Sequence, residues 1–142
     1  DMIWFDNLNS YGSANYYVQK AFSLNAGTDL LKAKITENPD LDEKKKGLHV
    51  SAAQDKNSNE IILKVVNVTE KPQQVLIDLT GQIKIKGPSK VELLTSEKLS
   101  DENSLTSPQK IHPKESTVQI SKNQFHYEFN PISFTILRIP VK

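Results

Sequence analysis

From Thr28 onward, apolar residues recur in short alternating runs separated by turn residues, and this period of two constrains the fold more than any other feature of the chain. Leu31, Ala33 and Ile35 alternate with Lys32 and Lys34; Leu48, Val50 and Ala52 with His49 and Ser51; Val75, Ile77 and Leu79 with Leu76 and Asp78; and Ile83 and Ile85 with Lys84 and Lys86. Residues 61–66 form the most apolar run. Lys64 orients it, with Ile61, Leu63 and Val65 toward the core and Asn67 at the strand end, and its apolarity predicts a central strand. Phe125, Tyr127 and Phe129 share a face, and residues 134–139 form a last strand. Breaks fall at Asn38-Pro39-Asp40 with the charged run after it, at residues 55–59, at Lys71-Pro72, Thr80-Gly81, Gly87-Pro88 and Asn130-Pro131. About nine or ten short strands at this spacing read as a mostly β fold, a two-sheet antiparallel β-sandwich of jelly-roll-like type. Half-buried strands need a second sheet over their apolar faces. Residues 95–113 lack a strong pattern, and loops this long are usually functional or mobile.

Residues 1–27 do not match this remainder. An apolar run, residues 2–5, leads through a loop into the one stretch with helical period. Ser13 is a plausible N-cap, Ala14, Tyr17, Val18, Ala21 and Phe22 share a face, and Asn25-Ala26-Gly27 supplies a stop. Asn15, Gln19, Lys20 and Ser23 lie opposite, the pattern of an amphipathic surface helix.

The letters of DMIWFDN (1–7) and SYGSANYYVQKAFS (10–23) resemble the segment leading out of the catalytic barrel of family 51 α-L-arabinofuranosidases into their C-terminal β-sandwich. The similarity continues in HVSAAQDKNSNEIILKVVN (49–67), LSDENSLTSPQKIHP (99–113) and PISFTILRI (131–139), so it spans nearly the whole chain in order. Ser13-Ala14 departs from the Thr-Pro pair expected there, which touches only the helix cap. The resemblance implies that residues 1–27 are a strand and helix left over from a (β/α)8 barrel and that residues 28–142 are the C-terminal sandwich. The parent is then a bacterial retaining glycosidase, periplasmic or extracellular, acting on arabinose-containing glycans. Such an enzyme needs two carboxyls about 5–5.5 Å apart. The family carries both glutamates upstream of anything that aligns here, so no catalytic residue is expected in this chain and the fragment alone should be inactive.

Asp6 and Asn7 follow the apolar run where a barrel strand would present its C-terminal end, and barrel active sites are built at that end. They are candidates for the edge of the parent's sugar pocket, against the plainer reading that they begin a turn. The remaining acids fall in turns, as at Asp40, Asp55, Glu70 and Asp101, or on polar strand faces, as at Glu92 and Glu128. The sandwich is expected to be a non-catalytic support for the barrel. The alternative is a carbohydrate-binding module stacking sugars on Trp4, Tyr11, Tyr16 or Tyr127.

Composition removes other classes. Arg138 is the sole arginine among 18 basic residues, set against 17 acidic ones, so phosphate and base recognition by guanidinium forks is not expected and nucleic acid is not a partner. Lys44, Lys45 and Lys46 are offset by Asp40, Asp42 and Glu43. The absence of cysteine excludes disulfides, thiolate metal sites and a cysteine nucleophile, without fixing the compartment. His49, His112 and His126 are far apart, so no metal is expected, and no glycine-rich phosphate loop or other cofactor motif occurs. No run approaches the roughly 18 apolar residues of a membrane span. Asn67-Val68-Thr69 is a glycosylation sequon by pattern. Cut from its barrel, the apolar surface of residues 1–27 is expected either to fold back on the sandwich or to pair with a second copy.

Overall fold

The computed structural model describes residues 1–36, 47–81 and 83–142; the Asn38-Pro39-Asp40 turn and the run of three lysines expected above lie outside them. Two strands form the middle of the molecule, β5 (Glu60–Asn67) and β10 (Ser133–Pro140). They pair antiparallel over their full length, Leu63 opposite Leu137. To one side lie β4 (Leu48–Asp55) and the short edge strand β3 (Asp29–Leu31), to the other β7 (Pro88–Thr95) and β8 (Lys114–Gln119), giving the order β3-β4-β5-β10-β7-β8. A second, two-stranded antiparallel sheet pairs β6 (Gln73–Asp78) with β9 (Gln124–Phe129). The chain is therefore an antiparallel β-sandwich, with one short helix among the described residues.

The large sheet is covered on both faces. On one, Ile61, Leu63, Val65, Val91, Leu137 and Ile139 meet Ile77 and Phe129 of the small sheet, with Val75, Phe125 and Tyr127 half-buried around them. That is the orientation the Lys64 position predicts for β5. On the other, Ile62, Leu94, Phe134 and Ile136 meet α1 (Ala14–Leu24) through Ala21, with Ala14, Tyr17 and Val18 beside it. Phe22 stacks on Phe134 at 5.0 Å between ring centroids and 7° between planes. The helix starts where its cap requires, the Ser13 hydroxyl accepting from Tyr16 N at 3.2 Å. Its face folds back on the sandwich, the first of the two expected outcomes for the helical part of residues 1–27, whereas residues 2–5 stay exposed.

Three local expectations are corrected by packing. The alternation over residues 29–35 yields a strand only as far as Leu31, and Ile83 and Ile85 contribute one isolated bridge, Ile85 to Val141. Lys64 is not on a solvated face but buried under the helix end. The long stretch 95–113 is pinned, since Asn103 is buried and Ile111 enters the helix-side core. Gly27 is needed where the chain leaves α1 for β3. Its φ is +74°, and a Cβ there would lie 2.8 Å from Ala53 Cβ and 2.9 Å from Gln54 O.

Candidate functional site

Asp6 and Asn7 sit at the tip of a two-stranded ribbon, β1 (Ile3–Phe5) paired antiparallel with β2 (Ser10–Gly12). The turn is built by Asp6 itself. Its Oδ1 accepts from Leu8 N at 2.8 Å and Asn9 N at 2.6 Å, while Asp6 N donates to Asn9 O at 2.9 Å. Those two amides, Leu8 first, hold the exposed carboxyl below its ordinary pKa. Asp6 is thus an ionised turn-builder with Oδ1 committed, and Asn7 is exposed beside it.

The ribbon is apolar on both sides and largely exposed, with Ile3 53% exposed, Trp4 51% and Phe5 77%, while Tyr11 and Gly12 at its root are half-buried. Strands that read apolar on both faces are those covered on both faces in their finished setting. At its root the Ser13 hydroxyl donates to Asp1 O and Met2 O, both at 3.1 Å. Ser13 N also donates to Met2 O at 2.9 Å, so the neighbouring Ile3/Gly12 position is a non-hydrogen-bonded pair and the Gly12 carbonyl points away from β1. Asn103 Nδ2 takes that carbonyl at 2.8 Å.

The rings named as stacking candidates do not form a row. Trp4 stands opposite Tyr11 on the ribbon. Tyr16 meets Tyr17 edge-on at 5.2 Å and lies close over Gly12, where a Cβ would come within 2.4 Å of its ring. Tyr127 is half-buried on the inner face of β9, 4.8 Å from Phe129. The acids are likewise dispersed. Asp55 and Glu60 both face Arg138, whose Nε donates to Glu60 Oε2 at 2.8 Å and whose Nη2 lies 3.3 Å from Asp55 Oδ2. Lys110 and Ser96 hold Asp101 down to about 2, the lysine at 2.7 Å. Glu70 and Glu128 are exposed.

The alternation conceals one cluster. At the end of α1 the buried Asn25 gives its Nδ2 to Ala21 O at 2.9 Å, receives Arg138 Nη1 on Oδ1 at 2.9 Å, and offers its own carbonyl to Lys64 Nζ at 2.6 Å. Two cations therefore seat on the C-terminal end of the helix, where the backbone dipole favours them. Burial lowers the Lys64 pKa. The sequence signals were faint: a lone arginine and a lysine inside the most apolar strand.

Next to this cluster, Glu92 stands directly across from Glu115 in the β7–β8 ladder. Burial first, and the Glu115 charge second, raise its pKa above the ordinary 4.5, opposed by Asn25, Lys20 and Arg138. A raised carboxyl pKa means that folding favours the protonated form, so the ionised group destabilises above its folded pKa, and this is relieved as pH falls toward 4.5. Glu92→Gln is accordingly expected to gain about 0.5 kcal/mol at pH 7 to 8, the scale of a cross-strand like-charge pair. The gain should vanish near pH 4. Urea titrations at both pH values check this, and an equal gain at both would refute it.

Among the described residues no group of three His, Asp or Glu side chains could hold a metal ion. His49 and His126 are exposed, and the His112 ring nitrogen Nδ1 lies 2.6 Å from Gln109 O. No described helix is long and apolar enough to cross a membrane. The sequon asparagine is unsuited to carry a glycan. Asn67 is 1% exposed, and its Nδ2 donates to Lys71 O and Asn130 O at 2.9 Å each and to Phe129 O at 3.3 Å.

The α-L-arabinofuranosidase C-terminal domain family matches residues 1–133. Alpha-L-arabinofuranosidase 1 of Arabidopsis thaliana is 30% identical over 141 residues, 95% of this chain and 20% of that protein. Alpha-L-arabinofuranosidase 2 of the same plant is 31% identical over 126 residues, 87% of this chain and 18% of that protein. Among solved structures, an arabinose-bound family 51 α-L-arabinofuranosidase superimposes with a TM-score of 0.84 at 25% identity, covering 100% of this chain and 21% of that one. The Thermotoga maritima α-L-arabinofuranosidase shares the fold, with a TM-score of 0.82 at 17% identity over 96% of this chain and 30% of that one. The chain thus spans about a fifth of the length of the curated relatives it matches.

Proposed function

The chain belongs to the family of α-L-arabinofuranosidase C-terminal domains, and from that premise we propose that it is the non-catalytic supporting sandwich of an enzyme that releases terminal α-L-arabinofuranosyl groups from arabinose-containing glycans. The observation that carries the reading is the ribbon of residues 3–12, apolar on both faces and largely exposed, attached to a large sheet that already has the small sheet packed on one face and α1 on the other. A catalytic barrel in the same parent chain is the cover that the family supplies. In this reading residues 1–27 are the strand and helix that finish the barrel and lead into the sandwich, residues 28–142 are the sandwich, and Asp6 and Asn7 lie at the edge of the sugar pocket. Asp55, Glu60 and Asp101 are held by cations and so are committed to structure.

Without its barrel the chain is expected to be inactive on an aryl α-L-arabinofuranoside. Turnover near that of a complete glycosidase would refute the assignment. Titration with arabino-oligosaccharides, followed by amide shifts, should give no saturable, localised response on the sandwich strands; such a response would favour a binding module. We further propose that the uncovered ribbon makes the isolated chain self-associate, because an apolar strand with a free edge pairs readily with another copy. Light scattering across concentration in the same samples reads this, and a monomer throughout would count against it.

A further inference from the structure

The ribbon that carries Asp6 and Asn7 has little holding it. Ile3, Trp4 and Phe5 are exposed, only Tyr11 and Gly12 are half-buried, and its turn is closed only on itself. Among the described residues, one hydrogen bond joins it to the sandwich loops, from Asn103 Nδ2 to Gly12 O at 2.8 Å. The donor is itself fixed. Asn103 is 4% exposed, its Nδ2 also donates to Ile111 O at 2.8 Å, and its Oδ1 accepts from Ile111 N at 2.7 Å. Ile111 is anchored in turn in the core between α1 and the large sheet. The acceptor has no freedom either. Gly12 faces the Tyr16 ring so closely that no Cβ fits, and its carbonyl is turned outward by the ladder. A rigid path therefore runs from the sandwich core through Ile111 and Asn103 to the ribbon root.

We propose that Asn103 is a positioning residue: it sets the angle of the β1–β2 ribbon, and with it where the turn of Asp6 and Asn7 meets the arabinofuranosyl group, an inference that rests on the sugar-pocket reading above. The sandwich then acts on the chemistry of its parent through one side-chain amide. Neither charge nor direct contact with sugar is involved. Small displacements of a substrate-positioning group are costly because the reacting geometry tolerates little error.

Asn103→Ala removes the amide, and Asn103→Ser is a small polar variant that cannot reach Gly12 O yet brings no charge into the buried site, so a folded variant is available even if the alanine form is not. Ile77→Ala, a core truncation on the far face of the large sheet, serves as the control. In the 142-residue chain, the amide resonances of Trp4, Asp6 and Asn7 should move in the Asn103 variants and stay in the control. In the longer enzyme, KM for an aryl α-L-arabinofuranoside should rise about tenfold in the Asn103 variants and hold in the control. Resonances that stay in place, or KM values that rise equally in all variants, would overturn the proposal. Resonances that move while KM does not would instead overturn the siting of Asp6 and Asn7 at the pocket edge, and with it the proposed consequence for catalysis.

Discussion

A chain that begins at Thr28 is expected to lose its cooperative unfolding transition. The reason is what α1 covers. Ile62, Leu94, Phe134 and Ile136 are nearly fully buried on the helix side of the large sheet. Burial of such side chains contributes roughly 1.5–3 kcal/mol each, about 6–12 kcal/mol for the four as an upper bound. The net stability of an entire domain is only about 5–15 kcal/mol. Removing the helix also removes Asn25, leaving Lys64 and one arm of Arg138 without their seat. Thermal melting of the two chains by circular dichroism, scanned at equal concentration, is the check. A truncated chain that melts cooperatively within a few degrees of the intact one would mean that the helix is a passive attachment.

Asn67→Ala is the second large effect, a loss of about 3–5 kcal/mol, in the range seen when a buried hydrogen-bond network is broken. Five contacts meet on this side chain. Besides the three donated by Nδ2, Oδ1 accepts from Thr69 N at 3.0 Å and from the Thr69 hydroxyl at 2.7 Å. They tie the end of β5 to the start of the β5–β6 connection and to the turn between β9 and β10, where Ile132 is held at a φ of +43°. Alanine removes all five, and although Lys71 O keeps the Thr69 hydroxyl and Asn130 O the Ser133 hydroxyl, Thr69 N loses its acceptor and the turn its central tie. Urea denaturation of the two proteins should show the loss as a lowered midpoint at constant slope. A difference under about 1 kcal/mol would show that water substitutes for the amide. The same geometry opposes glycosylation of the sequon, since a glycan on Nδ2 would displace the bonds that make the turn.

Most of the sandwich was legible because its information is local. Alternation in residues 48–52, 75–79 and 125–129 reports one buried face per strand, and a strand cannot hide its period. The helix was legible for the same reason, with the Ser13 cap and the stop before Gly27 in place. What covers the helix face was not, because an amphipathic stripe names its own side and never its partner. The clue was in β5: Ile62 and Val66 are apolar on the supposedly outer face, the mark of a strand buried from both sides. Residues 32–35 and 83–86 alternate as well as any strand does, yet form no extended ladder, since pairing needs a neighbour in register and sequence does not show one. Asn67 reads as a strand end and a sequon, and Asn103 falls in the stretch 95–113 that has no strong pattern. Each acquires its role from backbone groups distant in sequence, with Asn67 reaching Phe129 and Asn103 reaching Gly12.

Arg138 gives the folded chain a built-in clock. It is the sole arginine, and the bond that follows it lies two residues from the end of β10, with Arg138 paired to both β5 and β7. An arginine-specific protease needs an extended, detached segment, which β10 supplies only when its end comes away from β5 and β7. Every other opening, whether at the ribbon, the edge strands or the turns, is invisible to such an enzyme. One cut per molecule, read by mass spectrometry as the loss of residues 139–142, would therefore time the release of the end of β10 and nothing else.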